Sequence, residues 1–183
     1  MILHGDSFKV KIDKDTNFRN DSSIKPHYDV VFNLYGLDCN TSYETLSITI
    51  DFYSTEKRFA VLGSMIVTDY QIAILDGCNL ILLIDDVIIV VDIKTLNLIT
   101  QKELPDGYYF SIHTYDDGYI VYGELDIIKL SNAPAFEIEW TFSGNDIFVT
   151  QDDSSSFQIS NELIYLKDWN EREYVVDKNG KEL

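Results

Sequence analysis

Paired carboxylates are the residues of this 183-residue chain that could most readily do chemistry. Asp116 and Asp117 follow a run of β-type residues that contains His113. A histidine beside a carboxylate can act as a general base or as part of a ligand site. A strand histidine more commonly faces solvent or a polar neighbour, so the sequence favours a structural role for His113.

A second pair of carboxylates, Glu137 and Glu139, lies two residues apart in a predicted strand and therefore projects from one face. Paired carboxyl groups are what glycosidases use as acid and base, which makes a carboxylate-dependent hydrolase one alternative. Exposure next to Trp140 explains the pair more simply. The chain contains no GxSxG, HExxH, Walker A or GxGxxG motif, and the sequence assigns no catalytic residue.

The segment Asp177-Lys178-Asn179-Gly180 has the composition of the middle of a calcium loop. An EF-hand loop needs a bidentate glutamate six residues after its glycine, and the sequence has none at that spacing. A hairpin turn is the better interpretation. The sequence therefore predicts no metal and no cofactor.

The charge of the chain is strongly negative and unevenly distributed. The formal net charge is −17, and residues 1–60 hold 7 basic and 9 acidic side chains, against 7 and 22 in residues 61–183. Between positions 104 and 166 the only Lys or Arg is Lys129, among eleven carboxylates. Such a charge repels nucleic acid and anionic membranes and attracts a basic protein. The alternative is that the carboxylates only keep a β-rich protein soluble.

Aromatic side chains accompany the carboxylates in the second half of the chain. Tyr and Trp amid carboxylates suit the recognition of Arg- and Lys-rich surfaces, through charge complementarity and cation–π contacts. Most of these rings must still fill the core of a β-rich domain. The predicted partner-binding residues are Asp116, Asp117, Glu137, Glu139, Trp140, Asp152, Asp153 and Trp169.

The elements that must position these residues are short β-strands. Runs at 28–35 and 45–52 alternate with a period of two, which predicts two strands in one sheet. From residue 59 onward, short apolar runs, among them 147–150, alternate with turn residues such as Asp116-Asp117-Gly118. We therefore expect an all-β fold of successive antiparallel meanders, with an N-terminal β segment (1–58) packed on a blade-like repeat region (59–183).

A weak repeat supports this organisation. Residues 84–92 are echoed by 123–131 and again by 160–168, a period of about 40 that is typical of four-stranded propeller blades. The strand order of residues 80–103 and the ending 174–183 resemble the outer strands of quinoprotein-type (PQQ-like) β-propeller blades. The chain departs from that pattern where Leu96-Asn97 replace the glycine expected after Thr95. Because three blades cannot close a ring, the resemblance implies a small or incomplete propeller.

These observations favour a non-catalytic binding protein whose acidic, aromatic-containing surface docks a basic protein. Residues 139–148 also resemble small bacterial immunity-type proteins, which implies an inhibitor that covers a cationic toxin or nuclease. The alternative to partner docking is a carbohydrate- or small-ligand-binding β-domain with Trp140 or Trp169 as a stacking platform. The N-terminus shows no secretory signal, and Cys39 and Cys78 form no disulfide framework, so a cytoplasmic location is expected; the oligomeric state is left open.

Overall fold

The computed structural model describes residues 1–16, 18, 28–36, 43–64, 66, 68–151 and 155–183. In these ranges the chain forms sixteen β-strands and no helix, which confirms the predicted all-β class. Three residues named in the sequence analysis, Cys39, Asp152 and Asp153, lie outside the described residues. The described chain divides into two compact units, residues 1–101 and 102–183.

The first unit contains the strands β1 to β8 and most of β9. Their bounds are β1 Ile2–His4, β2 Lys9–Lys14, β3 Val30–Asn33, β4 Glu44–Asp51, β5 Glu56–Gly63, β6 Ala73–Asp76, β7 Asn79–Ile84, β8 Val87–Asp92 and β9 Asn97–Glu103. One sheet has the order β1-β2-β4-β5-β3, and the other is the meander β6-β7-β8-β9. The expected boundary between residues 58 and 59 falls inside β5, and the division into domains at that point stays a prediction.

Alternating side chains build the core of this unit. Val10 and Ile12 of β2, and Leu46, Ile48 and Ile50 of β4, are buried, while most of their neighbours along each strand are more exposed. These residues pack in one cluster with alternate apolar side chains of β7 and β8. The expectation that 28–35 and 45–52 share a sheet is confirmed, although β3 pairs with β5 in parallel and does not touch β4 in the ladder.

The second unit contains two antiparallel sheets. Its strands are β10 Tyr109–Tyr115, β11 Gly118–Gly123, β12 Asp126–Ser131, β13 Ile138–Ser143, β14 Phe157–Ser160, β15 Leu163–Lys167 and β16 Glu173–Val176. The first sheet has the order β10-β11-β12-β13 and the second β14-β15-β16. One face of each contributes to a shared core that includes Ile120, Tyr122, Ile164, Leu166 and Tyr174.

The connection between these two sheets differs from the prediction. Residues 147–150 are not a strand; Phe148 is buried in the core, and its amide donates a hydrogen bond to the carbonyl of Glu124 (2.6 Å). The apolar residues of this run serve packing, not pairing. As a consequence, the third copy of the sequence repeat lies on the second strand of its sheet, whereas the first two copies lie on the third strand of theirs.

Candidate functional site

One end of the second unit gathers several of the predicted partner-binding residues. Asp116 and Asp117 form the turn between β10 and β11, and Glu137, Glu139 and Trp140 lie at the beginning of β13. In an antiparallel meander the β10–β11 turn and the β12–β13 connection emerge at the same end of the sheet. The fold therefore brings these five residues to one end.

Tyr115 connects this end to the second sheet of the unit. Its hydroxyl donates a hydrogen bond to the carbonyl oxygen of Glu162, in the turn between β14 and β15. Burial raises the pKa of Tyr115, and the negative charges of Asp116, Asp177 and Glu162 raise it further. Three carboxylates from three different turns thus lie around one phenol.

Trp140 makes a second connection between the sheets. Its indole Nε1 donates to the carbonyl of Lys178 (2.9 Å), and Gly180 lies so close to the ring that an added Cβ would be 2.7 Å from Cδ2. Gly180 has a φ of +78°, a left-handed conformation that glycine adopts without strain. One part of the indole is therefore covered by the turn after β16, and the ring is half-buried.

Lys129 lies beneath the same end of the sheet. It is 1% exposed, on the face of β12 that carries the core residue Ile127, and its ammonium is 3.3 Å from carboxylate oxygens of both Asp117 and Glu139. It also donates to the carbonyl of Leu130 (3.1 Å). Two of the predicted docking carboxylates therefore compensate a buried internal cation.

We call the carboxylates of this region the acidic end. The acidic end consists of Asp116, Asp117, Glu137, Glu139, Glu162 and Asp177. Its members differ in whether they form ion pairs or hydrogen bonds within the protein. Asp117 and Glu139 pair with Lys129, and Glu137 lies 3.9 Å from the ammonium of Lys102. Asp177 accepts hydrogen bonds from the backbone amides of Lys181 and Asn179, which lower its pKa.

Asp116 and Glu162 are the members of the acidic end whose carboxylates are the most available to a partner. Neither carboxylate makes a hydrogen bond or ion pair with a described residue, and both side chains extend from exposed turn positions with positive φ. Glu162 and Asp177 were not among the predicted partner-binding residues. Their sequence signal was the hairpin-turn composition, but their place beside Asp116 depends on how the two sheets pack.

Trp169 lies elsewhere. It occupies the turn between β15 and β16, which is at the other end of that sheet from Glu162. The five residues of β15 separate the two turns by about 16 Å, from the rise of a strand. Trp169 is 42% exposed, so it can contact a ligand, but it does not share a surface with the acidic end.

The same turn contains the buried carboxylate Asp168. It accepts hydrogen bonds from the Tyr174 hydroxyl (2.7 Å) and from the amides of Asn170 (2.9 Å) and Arg172 (3.0 Å). Burial raises the pKa of Asp168, but these hydrogen bonds outweigh it, so that the pKa lies below its usual value. These three hydrogen bonds involve both carboxylate oxygens and hold the turn together.

His113 is not paired with Asp116 or Asp117. Its Nε2 is hydrogen-bonded to Ser111 Oγ (2.8 Å), its ring packs 5.0 Å from that of Phe157, and burial lowers its pKa. The structural interpretation of this histidine is therefore the better one. Within the described ranges, no three His, Cys, Asp or Glu side chains lie close enough together to hold a metal ion.

The described part of the chain also has no helix that is long and apolar enough to cross a membrane.

No family model and no curated protein matches the sequence. Solved structures do resemble it. Dihydro-heme d1 dehydrogenase NirN, in complex with DHE, has a TM-score of 0.51 and 12% identity over 77% of this chain and 33% of its own. The β-propeller domain of Cps50 (Swd1) from Myceliophteria thermophila has a TM-score of 0.51 and 13% identity, over 78% of this chain and 53% of its own.

This likeness shows the class of fold, which is an all-β, β-propeller-like succession of antiparallel sheets with an N-terminal β-sheet. The chain spans about a third of the first of these proteins and about half of the second. The resemblance to β-propellers expected from the sequence is therefore confirmed at the level of the fold. The narrower quinoprotein-type resemblance stays a prediction.

Proposed function

We propose that this protein is a non-catalytic binding scaffold whose acidic end docks a basic protein partner. The observation that carries the proposal is the convergence of carboxylates from four turns or strand ends around Tyr115 and Trp140. Rigid turns on a β scaffold are common positions for binding residues. The propeller-like fold supports a binding role in general, and the nature of the partner rests on the charge.

The charges of the acidic end are well placed for electrostatic steering. Lys129 is the only Lys or Arg between residues 104 and 166, and its positive charge offsets part of the negative charge of Asp117 and Glu139. Asp116, Glu137 and Glu162 remain at exposed positions. A basic surface that approaches this end would be attracted over a Debye length, and association would be fast at low salt and slower at high salt.

In its specific form, the proposal is that the protein is an immunity or inhibitor protein that covers the basic active site of a toxin or nuclease. The support for this form is the complementarity between a rigid acidic surface and a cationic active site. We also propose a cytoplasmic location, which agrees with the free thiol of Cys78.

The experiment that tests docking compares three baits in a pull-down from a lysate of the source cells. The test variant is Asp116→Asn/Glu137→Gln/Glu162→Gln, which neutralises exposed carboxylates and leaves the partners of Lys129 in place. Asparagine suits position 116 because it tolerates the positive φ found there. The control, Asp6→Asn/Asp69→Asn/Asp76→Asn, makes the same change in net charge at exposed positions of the first unit.

A basic protein that is retained by the natural chain and by the control, and lost by the test variant, would support the proposal. The same protein should elute at about 0.5 M salt, where the Debye length shortens to about 4 Å. Equal retention by all three baits, or the absence of any enriched basic protein, would argue against docking at the acidic end.

A further inference from the structure

The outer face of the last sheet carries a groove that the proposed docking does not use. The sheet β14-β15-β16 packs one face, with Leu166 and Tyr174, into the core of the second unit. Because side chains alternate along a strand, the intervening residues project from the opposite face. A depression of about 220 Å³ has in its lining all five of the residues that alternate onto this face, Gln158, Tyr165, Lys167, Glu173 and Val175, together with chain neighbours such as Ser156.

The strand register places an aromatic ring at the centre of this groove. Tyr165, on the central strand, is paired with Gln158 on one side and with Val175 on the other. Lys167 and Glu173 form the next cross-strand pair of the same face. Directly opposed residues have Cβ atoms about 5 Å apart and diagonal neighbours about 7 to 8 Å. The Gln158 amide therefore lies directly beside Tyr165, and the Glu173 carboxylate lies diagonal to it on the other flanking strand, within reach of a ligand that covers the ring.

Several of these polar groups have no partner within the described chain. The Gln158 amide, the Tyr165 hydroxyl and the Glu173 carboxylate make no hydrogen bond or ion pair with a described residue. Lys167, in contrast, is paired with Glu171. Tyr165 is 37% exposed, so both its ring and its hydroxyl are accessible from the groove.

We propose that this groove binds a neutral saccharide, with Tyr165 as the platform. A pyranose has an apolar face of C–H groups that suits an aromatic ring, and hydroxyl groups that both donate and accept hydrogen bonds. The groove offers a flat ring, an amide with both functions, a phenol and an acceptor-only carboxylate. The free carboxylate disfavours anionic ligands, and the mixture of polar and apolar groups is typical of specific small-molecule sites.

This site differs from the one that the sequence suggested for a carbohydrate. Trp140 is covered on part of its ring by Gly180, and Trp169 lies in the turn beyond the end of β15. Tyr165, unlike either tryptophan, lies in a concave site with a polar residue directly opposite on one flanking strand, Gln158, and another diagonal to it on the other strand, Glu173.

The test measures binding of a fixed saccharide panel to the full chain by 1H–15N NMR. The probes are glucose, galactose, mannose, N-acetylglucosamine, cellobiose, lactose and chitobiose. We expect at least one probe to shift resonances of β14 to β16, with a dissociation constant of about a millimolar, as is usual for a small polar ligand in a shallow site. Tyr165→Ala should weaken that binding at least about tenfold, the equivalent of 1.4 kcal/mol.

Three further variants make the result specific. Tyr53→Ala removes a ring that is 81% exposed in the first unit and should leave binding unchanged. Gln158→Ala keeps the platform and should weaken binding less than Tyr165→Ala does, which also provides a test if Tyr165→Ala fails to fold. The acidic-end variant Asp116→Asn/Glu137→Gln/Glu162→Gln should bind the saccharide normally, so failure of partner docking and failure of this proposal are distinguishable.

The absence of binding by every probe would overturn the proposal, as would binding that Tyr165→Ala and Gln158→Ala both leave unchanged. Concentration-dependent dimerisation that Tyr165→Ala abolishes, without saccharide binding, would also overturn it and would assign the face to a second copy of the chain.

Discussion

Lys129 is a buried cation in a part of the chain that is otherwise acidic. Its ammonium has three acceptors, two of which belong to the Asp117 side chain, 77% exposed, and the Glu139 side chain, 41% exposed. Removal of a charged partner from a buried ion leaves that ion uncompensated, whereas removal of the ion leaves two carboxylates that water can solvate. The carboxylates therefore have a structural role that is separate from any docking role.

We predict that Asp117→Asn/Glu139→Gln lowers the free energy of unfolding by about 2 kcal/mol, less than for a fully buried pair because both carboxylates contact water. Lys129→Met should change it by no more than about 1 kcal/mol. Lys129→Met/Asp117→Asn/Glu139→Gln should recover most of the stability that the double variant loses, since no unpaired ammonium remains. Urea unfolding followed by circular dichroism measures all three. A double variant as stable as the natural chain would show that the two carboxylates do not compensate Lys129.

Asp168 gives the chain a defined sensitivity to acid. Its pKa in the folded protein is held below the usual value by hydrogen bonds from Tyr174, Arg172 and Asn170, despite burial. The folded state therefore binds a proton less readily than the unfolded state does. The stabilisation is complete above the unfolded pKa of about 3.9 and is lost as the pH falls through the lower folded pKa.

We predict that Asp168→Asn costs about 2 kcal/mol of the free energy of unfolding at pH 7, because an amide cannot accept all of these bonds. The difference between the natural chain and the variant should shrink as the pH is lowered from about 5 to below 3. Urea unfolding at a series of pH values tests this. A difference that stays constant with pH would mean that the ionisation of Asp168 does not stabilise the fold.

Turns are the elements that assemble the candidate site, and they were predicted less completely than the strands. Alternation with a period of two predicted strands within 28–35 and 45–52, and in the second of these buried and more exposed side chains mostly alternate. Short apolar runs between turn residues predicted most of the later strands, such as β7, β8 and β11, which are buried on both faces. The Asp116-Asp117-Gly118 turn was evident from composition. The turn that begins at Asp177 was also predicted from composition. The positions of Glu162 and Asp177 beside Asp116 were not predicted, because they depend on contacts between two sheets that no local pattern encodes.

The sequence analysis also did not predict strand pairing and side-chain burial that depend on residues far apart in the chain. The parallel pairing of β3 with β5 and the burial of Phe148 both depend on partners far along the chain. Lys129 had a visible signal, since it stands two residues after Ile127 on the core face of an apolar strand. That signal identifies a buried lysine, but it does not identify which carboxylates compensate it.

The turn after β16 offers a direct test of element packing at Gly180. A Cβ there would be 2.7 Å from Trp140 Cδ2, in addition to the cost of a left-handed φ of +78°. We predict that Gly180→Ala lowers the free energy of unfolding by about 2 to 3 kcal/mol and changes the tryptophan fluorescence of the folded state.

Gly77→Ala is the matched control for this prediction. Gly77 has a φ of +58° but nothing within 4 Å of an added Cβ, so the substitution isolates the backbone cost of about 1 to 2 kcal/mol. Equal losses in the two variants would show that the contact between Gly180 and Trp140 contributes nothing beyond the backbone conformation.

At the scale of the whole molecule, charge acts on stability as well as on binding. The chain has 31 acidic and 14 basic side chains, and many of its ion pairs, such as Lys11 with Asp13, are exposed and contribute little. Excess charge of one sign repels itself more strongly in the compact state than in the expanded one. Salt screens this repulsion over the Debye length.

We therefore predict that the natural chain becomes more stable as sodium chloride rises from about 0.01 to 0.2 M, over which the Debye length falls from about 30 to about 7 Å. A gain of about 1 kcal/mol corresponds to an unfolding midpoint about 2 to 4 °C higher for a chain of this size.

Thermal unfolding of the natural chain and of both triple neutralisation variants measures the effect. Each variant removes three negative charges, so each should start from a higher midpoint and gain less from salt. A midpoint that falls with salt would mean that the ion pairs stabilise the fold more than the excess negative charge destabilises it.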